Sequence, residues 1–449
     1  MIETGVVQRV AALEAFLRDV YGPAEVLRDG VVPYRVVQTS AHFCRAAYGV
    51  EPPNGVRVHV SGTDLVRDER GQFRVLEDNI RTPSGVSYVM ENRRAMTRVF
   101  PELFVQHRVR RVADYPSRLL TALRAAAPAG ADDPTVVVLT PGVHNSAYFE
   151  HSLLARQMGV ELVEGRDLVT SGGEVAMRTT EGRQRVDVIY RRVDDAFLDP
   201  LHFRPDSVVG CPGLLNAARE GTVTIANAVG NGVADDKLLY TYVPDLVRYY
   251  LGEQPVLDNI ETFRLEDDDQ RAYALERMDI LVFKPVDASG GKGLVIGPAV
   301  NAEELDTLRA KITASPRDWI AQRVVALSTS PTLVGDRLAP RHIDLRPFAV
   351  NDGDRVHVLP GGLTRVALRA GSLIVNSSQG GGSKDTWVLA PDIEPAEPEP
   401  EAEVAERPEG EPTTRGQASR PFLPLPGRSP DRGPKGQTQQ QQQSRGREC

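Results

Sequence analysis

No stretch of about eighteen consecutive apolar residues, the length a membrane-crossing helix requires, occurs in the chain. The opening segment, MIETGVVQRVAALEAFLRDVYG, spaces its apolar residues helically among charges. It lacks the short uncharged core of a secretory leader. Cysteine is scarce: Cys44, Cys211 and Cys449 are the three among 449 residues, too few and too dispersed for a disulfide framework or a thiolate zinc site. Neither sign of charge dominates, since 53 basic against 61 acidic residues give a formal net charge of −8. That balance offers no broad footprint for nucleic acid or an anionic membrane. The chain also lacks H-E-x-x-H, a hydrolase order of Ser, His and Asp, and a G-x-G-x-x-G after the Val136–Leu139 run. Disulfide-rich, membrane, metallohydrolase and dinucleotide-dependent classes therefore recede, and a cytoplasmic protein of reducing surroundings is expected.

What remains is ordinary globular material, 41% hydrophobic and 25% charged, long enough for two or three domain cores. Up to residue 390, short β-like runs alternate with amphipathic segments, which predicts an α/β architecture. PTVVVLTPG (134–142) reads as a buried parallel strand ending in a turn, and SAYFEHSLLARQMG as the helix after it, stopped at Gly159. VELVEG, RVDVIYRRV and GTVTIANAVG read as further strands of one Rossmann-like sheet. Proline and charge near residues 113–116 and 255–269 mark joints. From Pro391 onward the chain holds 11 of its 33 prolines, an acidic block and a glutamine run. Its apolar content is too low to offset the entropy of ordering, so a disordered tail is expected. PFLPLP within it is a candidate docking peptide for a partner protein.

Three stretches carry chemistry. RVLEDNIRTPSG (74–85) sets Glu77 and Asn79 on one face of a strand, with Asp78 on the other, before Pro83 and Gly85 turn the chain. ILVFKPVDASGGKGLVIGP (280–298) delivers Lys284 on a strand. A turn of Ser289, Gly290 and Gly291 around Lys292 follows, then a second strand. Glycines let backbone N–H groups converge on an anion, and the two lysines supply charge for phosphate oxygens. No Ser or Thr follows Lys292, so a Gly-tipped hairpin fits better than a P-loop; a plain glycine hairpin is the bland alternative. WIAQRVVAL (319–327) is a strand containing Gln322, followed by RHIDLRPFAV, VHVLPGGLTRVAL and LIVNSSQGGGSKDTWVL. Asp344 and Arg346 share one face by two-residue alternation. Arg346 suits bidentate phosphate recognition.

Lys284, the Lys292 loop, Gln322, DLRPF and NSSQGGG together resemble the nucleotide-binding half of ATP-grasp ligases. In ribosomal-protein glutamate ligases the metal-binding E-x-N element follows that half. Here its counterpart, GTDLVRDERGQFRVLEDN, lies near the N-terminus, a permutation similar to that of glutathionylspermidine synthetase and eukaryotic glutathione synthetase. The chain resembles most the circularly permuted ATP-grasp proteins of type 2, over about residues 20–390. The resemblance implies Asp64, Glu77 and Asn79 as magnesium ligands, a set that suits a hard cation sharing phosphate oxygens. It also implies ATP held by Lys284, Ser289, Gly290, Gly291, Lys292, Gln322, Arg346, Arg365 and Asn376, with Gln322 at the adenine hinge. Arg346 and Lys292 would act in catalysis.

The fold it implies is α/β: a permuted ATP-grasp with a Rossmann-like pre-ATP-grasp unit and a disordered C-terminal tail. Residues 1–115 would carry the permuted metal-binding part and 116–255 the substrate unit. Residues 256–390 would form the nucleotide-binding subdomains, and 391–449 the tail. The reaction implied is ADP-forming ligation of a carboxylate to an amine or thiol, on an amino acid or peptide. A non-catalytic ATP-binding module and a phosphotransferase stay open as alternatives. In the middle unit, His144, Asn145, Arg191, Arg192, Asp194, Asp195, Asn227, Asn231, Asp235, Asp236 and Lys237 fall at strand ends and helix starts. Each could grip a substrate, or serve as a cap or surface ion pair.

Overall fold

The computed structural model describes residues 1–287, 293–367, 369–372, 375 and 381–391. Ser289, Gly290, Gly291, Lys292 and Asn376, together with the tail from Asp392, lie outside the described residues. Residues 1–391 form one compact unit.

Its largest sheet is spliced from both ends of that unit. The strand Val60–Arg67 is buried along all but its last residue. Along one edge it pairs antiparallel, in a single register, first with Arg337–Arg346 and then with Phe348–Asn351. Leu363–Val366 and Gly382–Asp385 extend the sheet beyond Arg337–Arg346. Phe73–Asn79 folds back on Val60–Arg67 as a hairpin. Its turn closes because the Asp68 carboxylate accepts the backbone N–H groups of Arg70 and Gln72 at 3.0 and 2.8 Å. Gly71, at φ 77°, supplies the left-handed residue that turn demands. Asp64 stands opposite Glu77, and Leu65 opposite Val75, so Leu76 is extra. This bulge turns Val75 into the core, where it is fully buried, and leaves Leu76 and Glu77 on the other side. Asp78 points to the back of the hairpin, where Arg9 of the Ile2–Val20 helix donates to it at 2.5 and 3.1 Å.

The runs expected to form one parallel sheet do so, in the order Glu161–Val163, Val136–Leu139, Val188–Arg191, Thr224–Ala226. The helix Tyr148–Met158 packs on it and ends at Gly159 in a left-handed cap (φ 70°). A three-stranded antiparallel meander, spanning residues 168–185, was not anticipated; only Leu168, Val175 and Met177 are buried in it and its last strand is polar and exposed, so the alternation is short.

A third sheet runs Thr262–Arg264, Trp319–Arg323, Leu281–Pro285, Val295–Ile296, all antiparallel. The two strands of the 280–298 segment thus pair antiparallel, with Val282 opposite Ile296. The helix Ala302–Ala314 supports it, started by a capping box of Asn301 and Glu304. Leu308 and Ile312 of that helix join Phe283 and Ala321 in a small separate core.

Candidate active site

The large sheet, the parallel sheet and the third sheet together line one cleft of about 1000 Å³. Asp64, Glu77, Asn79, Lys284, Gln322, Arg346 and Arg365 all line it. Residues near 77 and residues near 284, remote along the chain, therefore meet.

Asp64 is 1% exposed and fixed from the neighbouring strands. Arg346 donates to it through Nε and through Nη2 (2.8 Å), and Arg365 Nη2 donates at 2.6 Å. Arg365 is itself shared, donating to Asp344 from Nε at 2.8 Å and from Nη2 at 2.5 Å. Burial raises the Asp64 carboxyl, but the two guanidiniums outweigh it and hold it well below the usual carboxylate range. Asp344, with only a share of Arg365, is pushed up by burial. Arg346 Nη1 donates to the Ser84 carbonyl at 3.1 Å. Gly62 makes room for this arginine, since a Cβ there would lie 3.2 Å from Arg346 Cδ.

Glu77 is held more loosely, 3.7 Å from Lys237 Nζ and 3.9 Å from Arg346 Nη2. Lys284 is 8% exposed. Burial lowers its ammonium to about 8, aided by Lys237 and opposed by Glu77 and Asp64. Gln322 is buried rather than solvated, and its Nε2 donates to Thr262 Oγ1 at 3.0 Å.

The donor set fits a magnesium ion. No cluster of three or more His, Cys, Asp and Glu side chains occurs among the described residues, so a cage made by the protein alone is not formed. Two carboxylates and an amide are instead the partial set of hard oxygens that magnesium completes with phosphate and water. Asn79 makes no side-chain hydrogen bond among the described residues, so its carbonyl oxygen, the end a cation would take, is uncommitted. Asp64 accepts three hydrogen bonds, which leaves about one of its roughly four acceptor positions open.

The middle-unit candidates divide sharply. Arg191 is fully buried and donates to the carbonyls of Val193, Asn227 and Ala228. Asp195 pairs with it at 2.8 Å. The Asn227 carboxamide bridges the backbone of residues 59, 60 and 80, and Asn231 donates to the Arg57 carbonyl at 2.7 Å. Asp236 caps a short helix and pairs with Arg317 at 2.8 Å. These are framework. His144 is exposed and does not line the cleft. Asn145, Arg192, Asp194, Asp235 and Lys237 do line it. Burial raises the Asp235 carboxyl to about 6.

Two cleft residues escaped the sequence reading. Arg81 continues the two-residue parity of Glu77 and Asn79, which was the available signal. Glu150 lies on the buried side of a helix judged for its apolar spacing, and an acid at such a position was the signal there. Glu150 Oε2 accepts from Gly85 N (2.7 Å), Ser87 N and Ser87 Oγ (both 3.0 Å), while Oε1 accepts from Arg192 Nη2 at 3.1 Å. It thereby anchors the turn whose Ser84 carbonyl steadies Arg346.

A lysine-bearing antiparallel sheet facing a second sheet that presents two acids and an amide defines a protein of the ATP-grasp fold. The chain belongs to the circularly permuted ATP-grasp type 2 family, whose model matches residues 1–367. It is 65% identical over 390 residues to an uncharacterized protein of Mycobacterium tuberculosis (strain ATCC 25618 / H37Rv), covering 87% of this chain and 71% of that one. It is 50% identical over 389 residues to a protein of Frankia casuarinae provisionally named glutamate–cysteine ligase 2-2; the match spans 86% of this chain but 45% of that one. Among solved structures, a glutathione synthetase-like effector from Globodera pallida in its apo form shares the fold, with a TM-score of 0.53 and 12% identity. That match covers 86% of this chain and 87% of the effector. No described helix is long and apolar enough to cross a membrane.

Proposed function

We propose that the protein is an ATP- and magnesium-dependent ligase that joins a carboxylate to an amine or thiol through an acyl phosphate. The observation that carries this reading is the meeting of Asp64, Glu77 and Asn79 with Lys284 around one cleft. ATP-grasp membership and the ligase names among relatives support it. A substrate carboxylate oxygen would attack the γ-phosphorus, and the bond to the bridging oxygen would break with its electron pair leaving on ADP. The amine or thiol would then add to the acyl carbon, expelling inorganic phosphate and losing a proton. Such chemistry asks the protein mainly for positioning and charge neutralisation.

Lys284 would neutralise phosphate oxygens. Arg346 would do so as its hold on Asp64 loosens. Asp64, Glu77 and Asn79 would hold magnesium, which when bound supplies positive charge against the transferring phosphoryl group. Lys292, with Ser289, Gly290 and Gly291, is proposed for the phosphate-covering loop, and Asn376 for a further nucleotide contact. Arg365 serves better as the buttress of Asp64 and Asp344 than as a direct nucleotide ligand. Gln322 is proposed for the adenine side. Cleft walls that exclude water would protect the acyl phosphate from hydrolysis.

The test is incubation with ATP, magnesium, pooled amino acids and hydroxylamine. ADP together with a hydroxamate is expected, and Glu77→Gln should lower ADP formation at least about 100-fold. A stable phosphorylated product would mark a phosphotransferase instead. Tight ATP binding without turnover would mark a binding module. Full activity in Glu77→Gln would sink the metal assignment.

A further inference from the structure

The cleft wall beside the parallel sheet carries charged groups outside the nucleotide and metal set proposed above. Arg81 lies two residues beyond Asn79. Its Nη1 forms an ion pair with Asp194 Oδ1 at 2.9 Å and donates to His42 Nδ1 at 3.2 Å. Its Nε is buried, with Asp235 Oδ2 at 3.5 Å but no hydrogen bond made. Nη2 has no partner among the described residues, and the side chain lines the cleft. Asp194 is 45% exposed at its side chain, and its Oδ2 likewise has no partner among the described residues. It stands just past the C-terminal end of the Val188–Arg191 strand. Asn145 and Ser146, beyond the adjacent Val136–Leu139 strand, line the same wall. Ligands of parallel sheets settle at such strand ends.

A guanidinium whose Nη2 is uncommitted, paired to a carboxylate with one uncommitted oxygen, offers a donor and an acceptor side by side. An anion alone would meet the repulsion of Asp194 and Asp235, and a cation alone that of Arg81. A ligand bearing both charges one carbon apart satisfies both groups. We infer that Arg81 and Asp194 form the head-group site for an α-amino acid, Arg81 taking its α-carboxylate and Asp194 its ammonium. This inference rests on the ligase reading for its consequence. An amino acid held by its head group has its α-carboxylate occupied, so the carboxylate open to phosphorylation is one on the side chain. The class is therefore the acidic α-amino acids. The pair is largely buried on its Arg81 side and half exposed on its Asp194 side; if its role were confined to tying the 80–85 turn to the parallel sheet, changing Asp194 would leave ligand binding untouched.

The test is calorimetric titration of the full chain with L-glutamate and L-aspartate, and with two compounds that each lack one head-group charge. These are glutarate, without the ammonium, and L-isoglutamine, without the α-carboxylate. Each titration is run with and without magnesium and a non-hydrolysable ATP analogue, and binding of that analogue is measured separately. Glutamate or aspartate should bind, and for whichever binds, Arg81→Leu and Asp194→Asn should each weaken it at least tenfold. Glutarate and isoglutamine should bind at least tenfold more weakly than glutamate if glutamate is the ligand, and not at all if aspartate is. Asp194→Glu, which keeps the charge, should recover part of the affinity. Binding of neither amino acid, equal binding of glutarate or isoglutamine, or unchanged affinity in Asp194→Asn would overturn the head-group site. Should Arg81→Leu not fold, Asp194→Asn decides, because its side chain is half exposed. Loss of the head-group result with intact nucleotide binding leaves the ligase reading standing. Failure of the analogue itself to bind removes the ligase reading, while the titrations without nucleotide still judge the head-group site.

Discussion

Two deeply buried carboxylates of the cleft, Asp64 and Glu150, meet arginine in different ways. Asp64, on the large sheet, is surrounded by cations alone, with Arg346 and Arg365 taking both oxygens. Glu150, on the helix over the parallel sheet, meets one arginine and three neutral donors from residues 85 and 87. The first arrangement is a charge network that exchange of partners with a metal and phosphates can remodel. The second is a structural clamp with its acceptor positions filled. Burial is nearly the same, 1% against 2%, so the partners, not the depth, distinguish the two carboxylates.

The largest expected effect breaks the first network. Asp64→Asn would leave two buried guanidiniums facing one another without their shared anion. Removing one partner of such a buried pair costs about 3–5 kcal/mol, to be read from the urea midpoint. A loss below about 1 kcal/mol would mean that the network is far more hydrated than its burial implies.

Next comes the pH response of the large sheet. His59 is fully buried with neither ring nitrogen paired among the described residues, and burial pulls its imidazole down to about 4. The folded pKa lies below the unfolded one, so the unfolded chain takes up the proton first. Stability is therefore complete above about pH 6.5 and falls as the pH drops toward 4, by about 3 kcal/mol at roughly 1.4 kcal/mol per unit. His151, packed over the parallel sheet, is lowered to about 3 by burial and by Arg192, and its Nδ1 lies 2.9 Å from Thr140 Oγ1. Denaturation curves between pH 7 and 4.5 should flatten in His59→Leu; an unaltered slope would assign the loss elsewhere. No larger is the effect of Glu150→Gln. The amide keeps an acceptor for the 85–87 turn but leaves one buried arginine, Arg192, which still donates to Tyr190 Oη at 3.1 Å, without its counter-charge; the cost falls at the low end of the range for a broken buried pair, about 3 kcal/mol. A cost equal to that of Asp64→Asn would erase the distinction between the two carboxylates.

The same contrast governs what could be read without coordinates. The parallel sheet came from four apolar runs within one span, each ended by its own turn residues, and local pattern sufficed. The strand at 74–79 was legible for similar reasons, down to Asp78 facing away from Glu77 and Asn79. The neighbours of the 60–79 hairpin were not locally encoded: Arg346 reaches Asp64 across 282 positions, and only the order of motifs pointed there. Arg346 was expected to meet phosphate, and Arg365 nucleotide; their grip on Asp64 depends on strand register that no local spacing reveals. Asn227 and Arg191 had the look of substrate groups because strand ends gather both ligands and framework bonds. The bonds each makes to the backbone tell these apart. Glu150 was hidden because a single acid inside an apolar helix face reads as noise until its four donors are seen.

The finest test concerns a proton at Lys284. In the nucleotide-free protein its ammonium is lowered to about 8, chiefly by burial, so near pH 8 about half of the molecules carry it neutral. Phosphate oxygens brought beside it would restore the charged form. Binding of ATP at pH 8 should therefore take up about half a proton, and binding at pH 6.5 almost none. Calorimetry in buffers of differing ionisation enthalpy measures this directly as a buffer-dependent heat. Lys284→Arg, whose guanidinium stays charged throughout, should bind ATP with no such dependence. A buffer-dependent heat that persists in that variant would move the titrating group elsewhere in the cleft. Asp235, raised to about 6, is the next candidate, and its uptake would grow toward acid rather than alkaline pH.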